Sequence, residues 1–515
     1  MQGGRIMAGQ QQRVTTTNTA RGLLLVSVCV LVVCCSGSDC LAIDSNGASP
    51  TSSSSSVVGL SMRVPKAADR ILNEPASVWV EFIQLALDHK PLNLGQGFPD
   101  FAAPQYLVES LENATRLSDP KMVLNHQYTR SFGHPRLVNA LQAYYRNMRG
   151  FELLSDPKEQ VLVTVGAYEA LFTAIMAFVN PGDEVILIDP AFDAYAPMVA
   201  MAGGKSVFIP LRPVAATGEQ HNNGGISSEL YRLDMRELLA KINNRTRAIV
   251  LNTPNNPLGK VYSRDELAQL AKVCEQHNLL VIADEVYEQF YYDSSKHISM
   301  ASLPGMWNRT ITIGSAGKTF SVTGWKIGWA YGPKHLIRYM QLVHQTAVYT
   351  VATPLQEAVA RALEHEMQLI GQHQHQSNST EHTTEQPGVL YWSSLRNELK
   401  TKRNRMAKVL ERAGMRPIVP QGGYFMMADF SKLAKVFPEY NYVGQVNSSS
   451  SQVINTNDYK FARWLSKVKH LQGIPGGAFY SGENKSLGEN LIRLCFIKKN
   501  ETLDKFEELI DQLVE

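Results

Sequence analysis

The sequence is poor in cysteine. Of its six, Cys29, Cys34, Cys35 and Cys40 lie near the start, leaving only Cys274 and Cys495 for the body. That excludes a disulfide framework and favours a reducing compartment. Charge of one sign is also lacking: 50 Lys and Arg against 47 Asp and Glu leave +3 over 515 residues. No long Lys/Arg stripe interleaves with aromatics, which argues against a nucleic-acid partner. The apolar run Leu23 to Cys35 is too short to span a bilayer comfortably, so no stable membrane insertion is expected after leader removal. No internal repeat is evident.

What is present divides into a leader and a body. Residues 1–60 carry Arg5, Arg13 and Arg21, no acidic residue before Asp39, the apolar run, and a Ser-rich stretch from Thr51 to Ser56. This composition marks a removable leader. A basic start followed by an apolar run suits secretion, and an Arg/Ser/Thr-rich, acid-free segment suits mitochondrial import. With the cysteine usage, the expected location is mitochondrial or cytoplasmic, with secretion as the alternative. Asn-x-Ser/Thr triplets such as those at Asn308 and Asn378 are read as chance matches.

The body, with 44% hydrophobic and 19% charged residues overall, is long enough to bury a large core and form two domains. Short apolar runs at Val161–Val165, Glu184–Ile188, Ser206–Ile209, Ala248–Leu251, Leu279–Ala283 and Thr310–Ile313 alternate with helical patterns, including Tyr168–Val179 and Arg264–His277. Ser263 and Glu266 stand at capping-box spacing before the latter. This alternation predicts an α/β fold with a mostly parallel, helix-covered sheet. The last third reads as a smaller α+β domain, joined by a helix around Leu336 to Tyr349. Polar insertions at Gln372–Gly388 and Asn441–Asn457 are read as exposed loops. The expected division is an arm at 61–103 joining the small domain, a large domain at 104–345, and the small domain at 346–515.

Four strand ends carry the chemistry. Thr310 to Trp329, TITIGSAGKTFSVTGWKIGW, runs into a loop displaying Lys318 and Lys326. A phosphate-binding P-loop would need Gly where Thr312 stands, which disfavours a nucleotide site. The bland alternative is two solvated lysines. LLVIADEVY delivers Asp284 at a strand's carboxyl end and Tyr287 three residues later, where open α/β sheets bind ligands. A helix cap would explain Asp284 alone. Paired with a displayed lysine, it suggests instead a partner for the ring nitrogen of pyridoxal phosphate. NTPNNPLGK places Asn256 at the same edge, though a plain turn needs no more than such residues. VLVTVGAYEA breaks at Gly166 into a helix whose first N–H groups could hold a phosphate. Each element is common; the set is not.

With these motifs the body resembles the fold-type I, class I/II aminotransferases, and within them the kynurenine aminotransferases (glutamine transaminase K, cysteine-conjugate β-lyase). LNLGQGFPD, QYTRSFGHPRL, TVGAYEAL, SAGKTFSVTGWKIGW and QGGYFM carry the likeness from about Ser77 to Lys499.

The resemblance implies pyridoxal 5′-phosphate held covalently by Lys318, which also moves the proton, with Asp284 at the ring nitrogen, Tyr287 and Asn256 at the ring oxygen, and Phe192 on the ring face. It implies Gly166, Ala167, Ser315 and Lys326 at the phosphate, together with Tyr128 from a neighbouring subunit and hence a homodimer with shared sites. Arg493 would fork onto the substrate carboxylate with Gly97 and Asn256 assisting, and Trp79, Tyr168 and Tyr349 would line a roomy aromatic pocket. No metal is expected. The implied activity is transamination of kynurenine and other large aromatic, sulfur-containing or glutamine-like amino acids with 2-oxo acids, with cysteine-conjugate β-elimination beside it. A general alanine- or aromatic-type aminotransferase is the alternative. His126 and Ala191 depart from the family pattern, where Asn and an aromatic are expected, and bear on substrate preference.

Overall fold

The computed structural model describes residues 65–72, 77–116, 120–214, 225–378, 390–435, 437 and 454–513. The leader at 1–60, most of the second insertion and residues 379–388 of the first lie outside them.

Among the described residues, eight strands form the main sheet: β1 (Val161–Val165), β2 (Glu184–Asp189), β3 (Lys205–Pro213), β4 (Tyr231–Leu233), β5 (Thr246–Asn252), β6 (Leu280–Asp284), β7 (Thr310–Ser315) and β8 (Ile327–Tyr331). Their order is β1-β8-β7-β6-β5-β2-β3-β4. The central run β7-β6-β5-β2-β3 is parallel, while β8 is antiparallel to both its neighbours and β4 to β3. β2, β6 and β7 are buried along their length and β5 over its last five residues, as expected for a sheet covered on both faces. The six strands read from the sequence are all present.

Helices Gly166–Phe178 and Arg264–Gln276 also form, the second with Ser263 and Glu266 completing the capping box. The connecting helix runs from Lys334 to Ala347. It therefore stops before Tyr349, whose φ of 70° no helix continues. The first polar insertion is not a loop throughout, since helix Thr353–Asn378 carries on through its first residues.

A second sheet orders Ile474–Pro475, Leu491–Cys495, Phe425–Asp429, Arg416–Val419 and Ile226–Ser227. Ile226–Ser227 comes from within the expected large domain, and Thr353–Asn378, from beyond residue 345, packs on Gln105–Ala114 and Pro135–Arg149. Contacts thus cross the expected boundary both ways. The N-terminal arm reaches the same region as the second sheet: Leu92–Asn93 pairs in parallel with Leu471–Gln472, and helix Val78–His89 packs on helix Asn457–Lys467. Among the described residues, no helix is long and apolar enough to cross a membrane. Cys274 and Cys495 are buried and unpaired.

Candidate active site

The carboxyl ends of β1, β5, β6 and β7 open onto one cavity of about 470 Å³, closed from the other side by Trp79, Gly97, Phe425 and Arg493. Parallel strands release their chains at the same edge, which is why residues distant in sequence converge there.

β7 runs into the four-residue helix Ala316–Thr319, which turns Lys318 into the cavity. Its Nζ donates to the Tyr424 hydroxyl at 2.7 Å and lies 3.4 Å from the Gly97 carbonyl, to which Tyr424 also donates. None of these acceptors carries charge. Burial accordingly lowers the amine to about 8, within reach of a neutral nucleophile near physiological pH.

β6 ends on Asp284, buried and facing the cavity. The Tyr195 hydroxyl donates to its Oδ2 at 2.6 Å and the Val286 N–H to Oδ1 at 3.4 Å. Desolvation still raises the carboxyl to about 6. Two donors do not offset its burial, so the site suits a further cation.

The antiparallel strand β8 supplies the remaining cation. It starts where its neighbours end, pairing Ile327 with Val165 and Gly328 with Ser315, so Lys326 arrives beside the first turn of helix Gly166–Phe178. A Cβ on Gly166 (φ 70°) would sit 3.2 Å from Lys326 Nζ, and one on Gly328 only 2.4 Å from the Ala167 nitrogen. Glycine permits this approach. The resulting cradle of helix N-terminus, Ser315 and ammonium suits an anion.

Arg493, on the second sheet's strand Leu491–Cys495, is fully buried. It donates to Asn256 Oδ1 at 3.0 Å and the Gly95 carbonyl at 2.8 Å, and its Nε has no partner. The rings of Phe425, Phe479 and Trp79 surround it at 4.0, 4.6 and 5.4 Å. Such a guanidinium, lowered by burial to about 10, suits a carboxylate ligand.

The matching family model, aminotransferase class I and II, spans residues 89–510. The chain belongs to the class I and II aminotransferase family. Curated relatives of this aminotransferase include human kynurenine--oxoglutarate transaminase 3, 46% identical over 465 residues (89% of this chain, 94% of that one). Human kynurenine--oxoglutarate transaminase 1 is 44% identical over 430 residues (84% and 94%). Among solved structures, Bna3p of Saccharomyces cerevisiae matches with a TM-score of 0.74 and 29% identity (87% and 99%).

Of the residues named from the sequence, Lys318, Asp284, Tyr287, Asn256, Phe192, Gly166, Ala167, Ser315, Lys326, Gly97, Arg493, Tyr168 and Trp79 all line the aminotransferase's cavity. Tyr128 and Tyr349 do not. They stack edge to face at 5.5 Å and are 81% and 50% exposed. The chain leaves its helix before Tyr349, whose positive φ accompanies a side chain set against Tyr128. His126 and Ala191 do not line the cavity either. Sequence reasoning missed Tyr195, Tyr424 and Asn252. Tyr424 sits inside the QGGYFM motif, a signal that was there to use. Nothing in the sequence marks Tyr195 as the donor to Asp284. The Asn252 side chain accepts from the Asn256 N–H at 2.6 Å and donates to the Asp284 carbonyl at 2.9 Å, fixing the strand end.

Proposed function

We propose that this aminotransferase binds pyridoxal 5′-phosphate and transfers the amino group of kynurenine and other large L-amino acids to 2-oxo acids. One observation carries the reading: an amine, a buried carboxylate, an anion cradle and a buried guanidinium share one cavity. The underpaired Asp284 and the Gly166 cradle fit the cofactor's ring nitrogen and phosphate. When bound, the cofactor supplies an electron sink for the bond broken at the substrate Cα.

In this reading the protein does the rest. Lys318 would hold the cofactor and, once free again as an amine whose protonation burial disfavours, would take the proton from Cα. Asp284, held by Tyr195, would keep a proton on the ring nitrogen. Asn256 gives its Oδ1 to Arg493, leaving its amide hydrogens for the ring oxygen, beside Tyr287. Arg493 orients the substrate carboxylate, and Phe192, Tyr168, Trp79 and Ile83 form the apolar wall that admits a large side chain and excludes water. The relatives' names supply kynurenine and oxoglutarate. The same proton abstraction would permit β-elimination from cysteine S-conjugates.

We further infer a homodimer. Tyr128 and Tyr349 pack edge to face on the surface, with Val123 and Leu124 also exposed a few residues before Tyr128, in keeping with the expectation that Tyr128 completes a neighbour's phosphate site. The location is proposed to be mitochondrial or cytoplasmic.

The test is turnover of kynurenine, glutamine, phenylalanine and alanine with several 2-oxo acids. Kynurenine turnover with release of its cyclised product supports the reading; exclusive use of alanine refutes it and favours the general alanine-type alternative.

A further inference from the structure

Helix Val78–His89 forms one lip of the cavity. Its body is tied to the second sheet's side by the Glu81–Arg463 ion pair, by Gln472 donating to the Phe82 carbonyl at 2.6 Å, and by the Phe82–Tyr459 ring contact. Its start turns the other way, onto the loop that follows β2. There the Trp79 indole N–H donates to Asp193 Oδ1 at 3.3 Å and the Ser77 hydroxyl to Oδ2 at 3.2 Å. Ser77 is also the helix N-cap, accepting from the Trp79 N–H. One carboxylate therefore grips both the cap and the aromatic ring of the lip, from the residue immediately after Phe192.

Asp193 itself does not line the cavity. It faces a neighbouring recess of about 400 Å³ that also meets Ser77 and Tyr168. The indole it holds has cavity on one side and Arg493 within 5.4 Å of its ring, a distance at which the ring face attracts the guanidinium. The negative charge near Arg493 partly offsets the burial cost of that arginine, and Arg493 in turn lowers the Asp193 carboxyl against the rise that burial imposes. Without Asp193 the indole keeps its contact with Arg493 but loses the side-chain hydrogen bond that fixes its rotation.

We propose that Asp193 is a positioning residue for substrate selection: by latching the Trp79 indole across the cavity mouth, it builds the wall against which large amino-acid side chains bind. This rests on the reading of the cavity as an aminotransferase site. A small side chain does not reach that wall and depends on Asp193 only through its charge beside Arg493. A large one gains binding energy equally in its bound and reacting states, which appears in KM rather than kcat.

The experiment measures kcat and KM of the holoenzyme for phenylalanine and alanine in wild type, Asp193→Ala, Asp193→Asn, Trp79→Phe and the double variant Asp193→Ala/Trp79→Phe. Loss of a charge-assisted hydrogen bond predicts that Asp193→Ala raises KM for phenylalanine about tenfold, with a smaller rise for alanine, whose carboxylate also meets the Arg493 that Asp193 faces, and with kcat for phenylalanine changed less than its KM. Asp193→Asn, which keeps an acceptor for the indole, should recover part of the loss, and the double variant should be no worse than Trp79→Phe alone. Equal losses for both donors, a fall in kcat without a change in KM, or additive effects in the double variant would overturn the proposal. If Asp193→Ala does not fold, Asp193→Asn and Trp79→Phe with their own double variant distinguish the same outcomes. A wild-type enzyme that turns over neither donor defeats the aminotransferase reading itself, a result distinct from any of these.

Discussion

Replacing Arg493 by Lys should cripple substrate binding without emptying the cofactor site. In the cavity the guanidinium commits NH1 to Asn256 and NH2 to the Gly95 carbonyl, holding its plane fixed among three aromatic rings. A lysine keeps one positive charge but cannot serve Asn256, Gly95 and a carboxylate in one planar arrangement. At least one charge-assisted hydrogen bond is lost, about 1.5–3 kcal/mol, and a buried acceptor left unpaired costs about 1–3 kcal/mol more. Taking about 2–4 kcal/mol for incomplete relaxation, kcat/KM for an amino-acid donor should fall about 30- to 1,000-fold. The assay compares initial rates over a range of donor concentrations, with the cofactor's visible absorbance as the control for an intact site. Affinity for 3-phenylpropionate, which offers the carboxylate without the amine, should fall in parallel. An Arg493→Lys enzyme with undiminished kcat/KM would show that this arginine does not bind the substrate carboxylate.

Tyr195→Phe removes the 2.6 Å bond to Asp284 and should weaken cofactor retention about tenfold or more, measured by reconstitution titration; unchanged affinity would mean that Tyr195 does not support the carboxylate. Asp284→Asn should stabilise the cofactor-free protein at neutral pH while abolishing most activity. The carboxyl is raised from its ordinary 3.8 to about 6, so the folded state binds this proton more tightly; the resulting destabilisation develops between those values and is complete above about pH 6. It amounts to at most about 3 kcal/mol, and the thermal midpoint difference between variant and wild type should vanish below pH 4. Lys326→Ala should weaken the cofactor about tenfold, an exposed charge-assisted contact being worth less than a buried one, and added inorganic phosphate should compete less well for the site.

Much of this is legible in the sequence because the chemistry sits at strand ends. β-rich runs such as VLVTV and LLVIAD announce where a parallel sheet releases its chain, so Gly166, Asp284 and Lys318 can be placed together from the pattern alone. What the sequence hides is contact made by burial alone. Tyr195 is an ordinary core aromatic by pattern, and only packing aims its hydroxyl at Asp284, whereas Tyr424, which reaches Lys318, at least lies inside the QGGYFM motif. Tyr349 departs from expectation for a local reason: one residue of positive φ after the helix turns it outward beside Tyr128, away from the pocket. Thr353–Asn378 shows a different limit, since its polar end has the composition of a loop where the helix simply continues.

The central claim is that Lys318, and no other amine, carries the cofactor. Its Nζ lies against Tyr424 and Gly97 in the same cavity as Asp284 and Arg493, while Lys326, at the cavity's edge, is assigned to the phosphate. The direct measurement is borohydride reduction of the holoenzyme followed by peptide mass mapping. The account predicts a single phosphopyridoxyl adduct on the peptide containing Lys318, and its loss, together with the visible absorbance of the bound cofactor, in Lys318→Ala. An adduct on Lys326 or elsewhere, or full absorbance retained by Lys318→Ala, would contradict it.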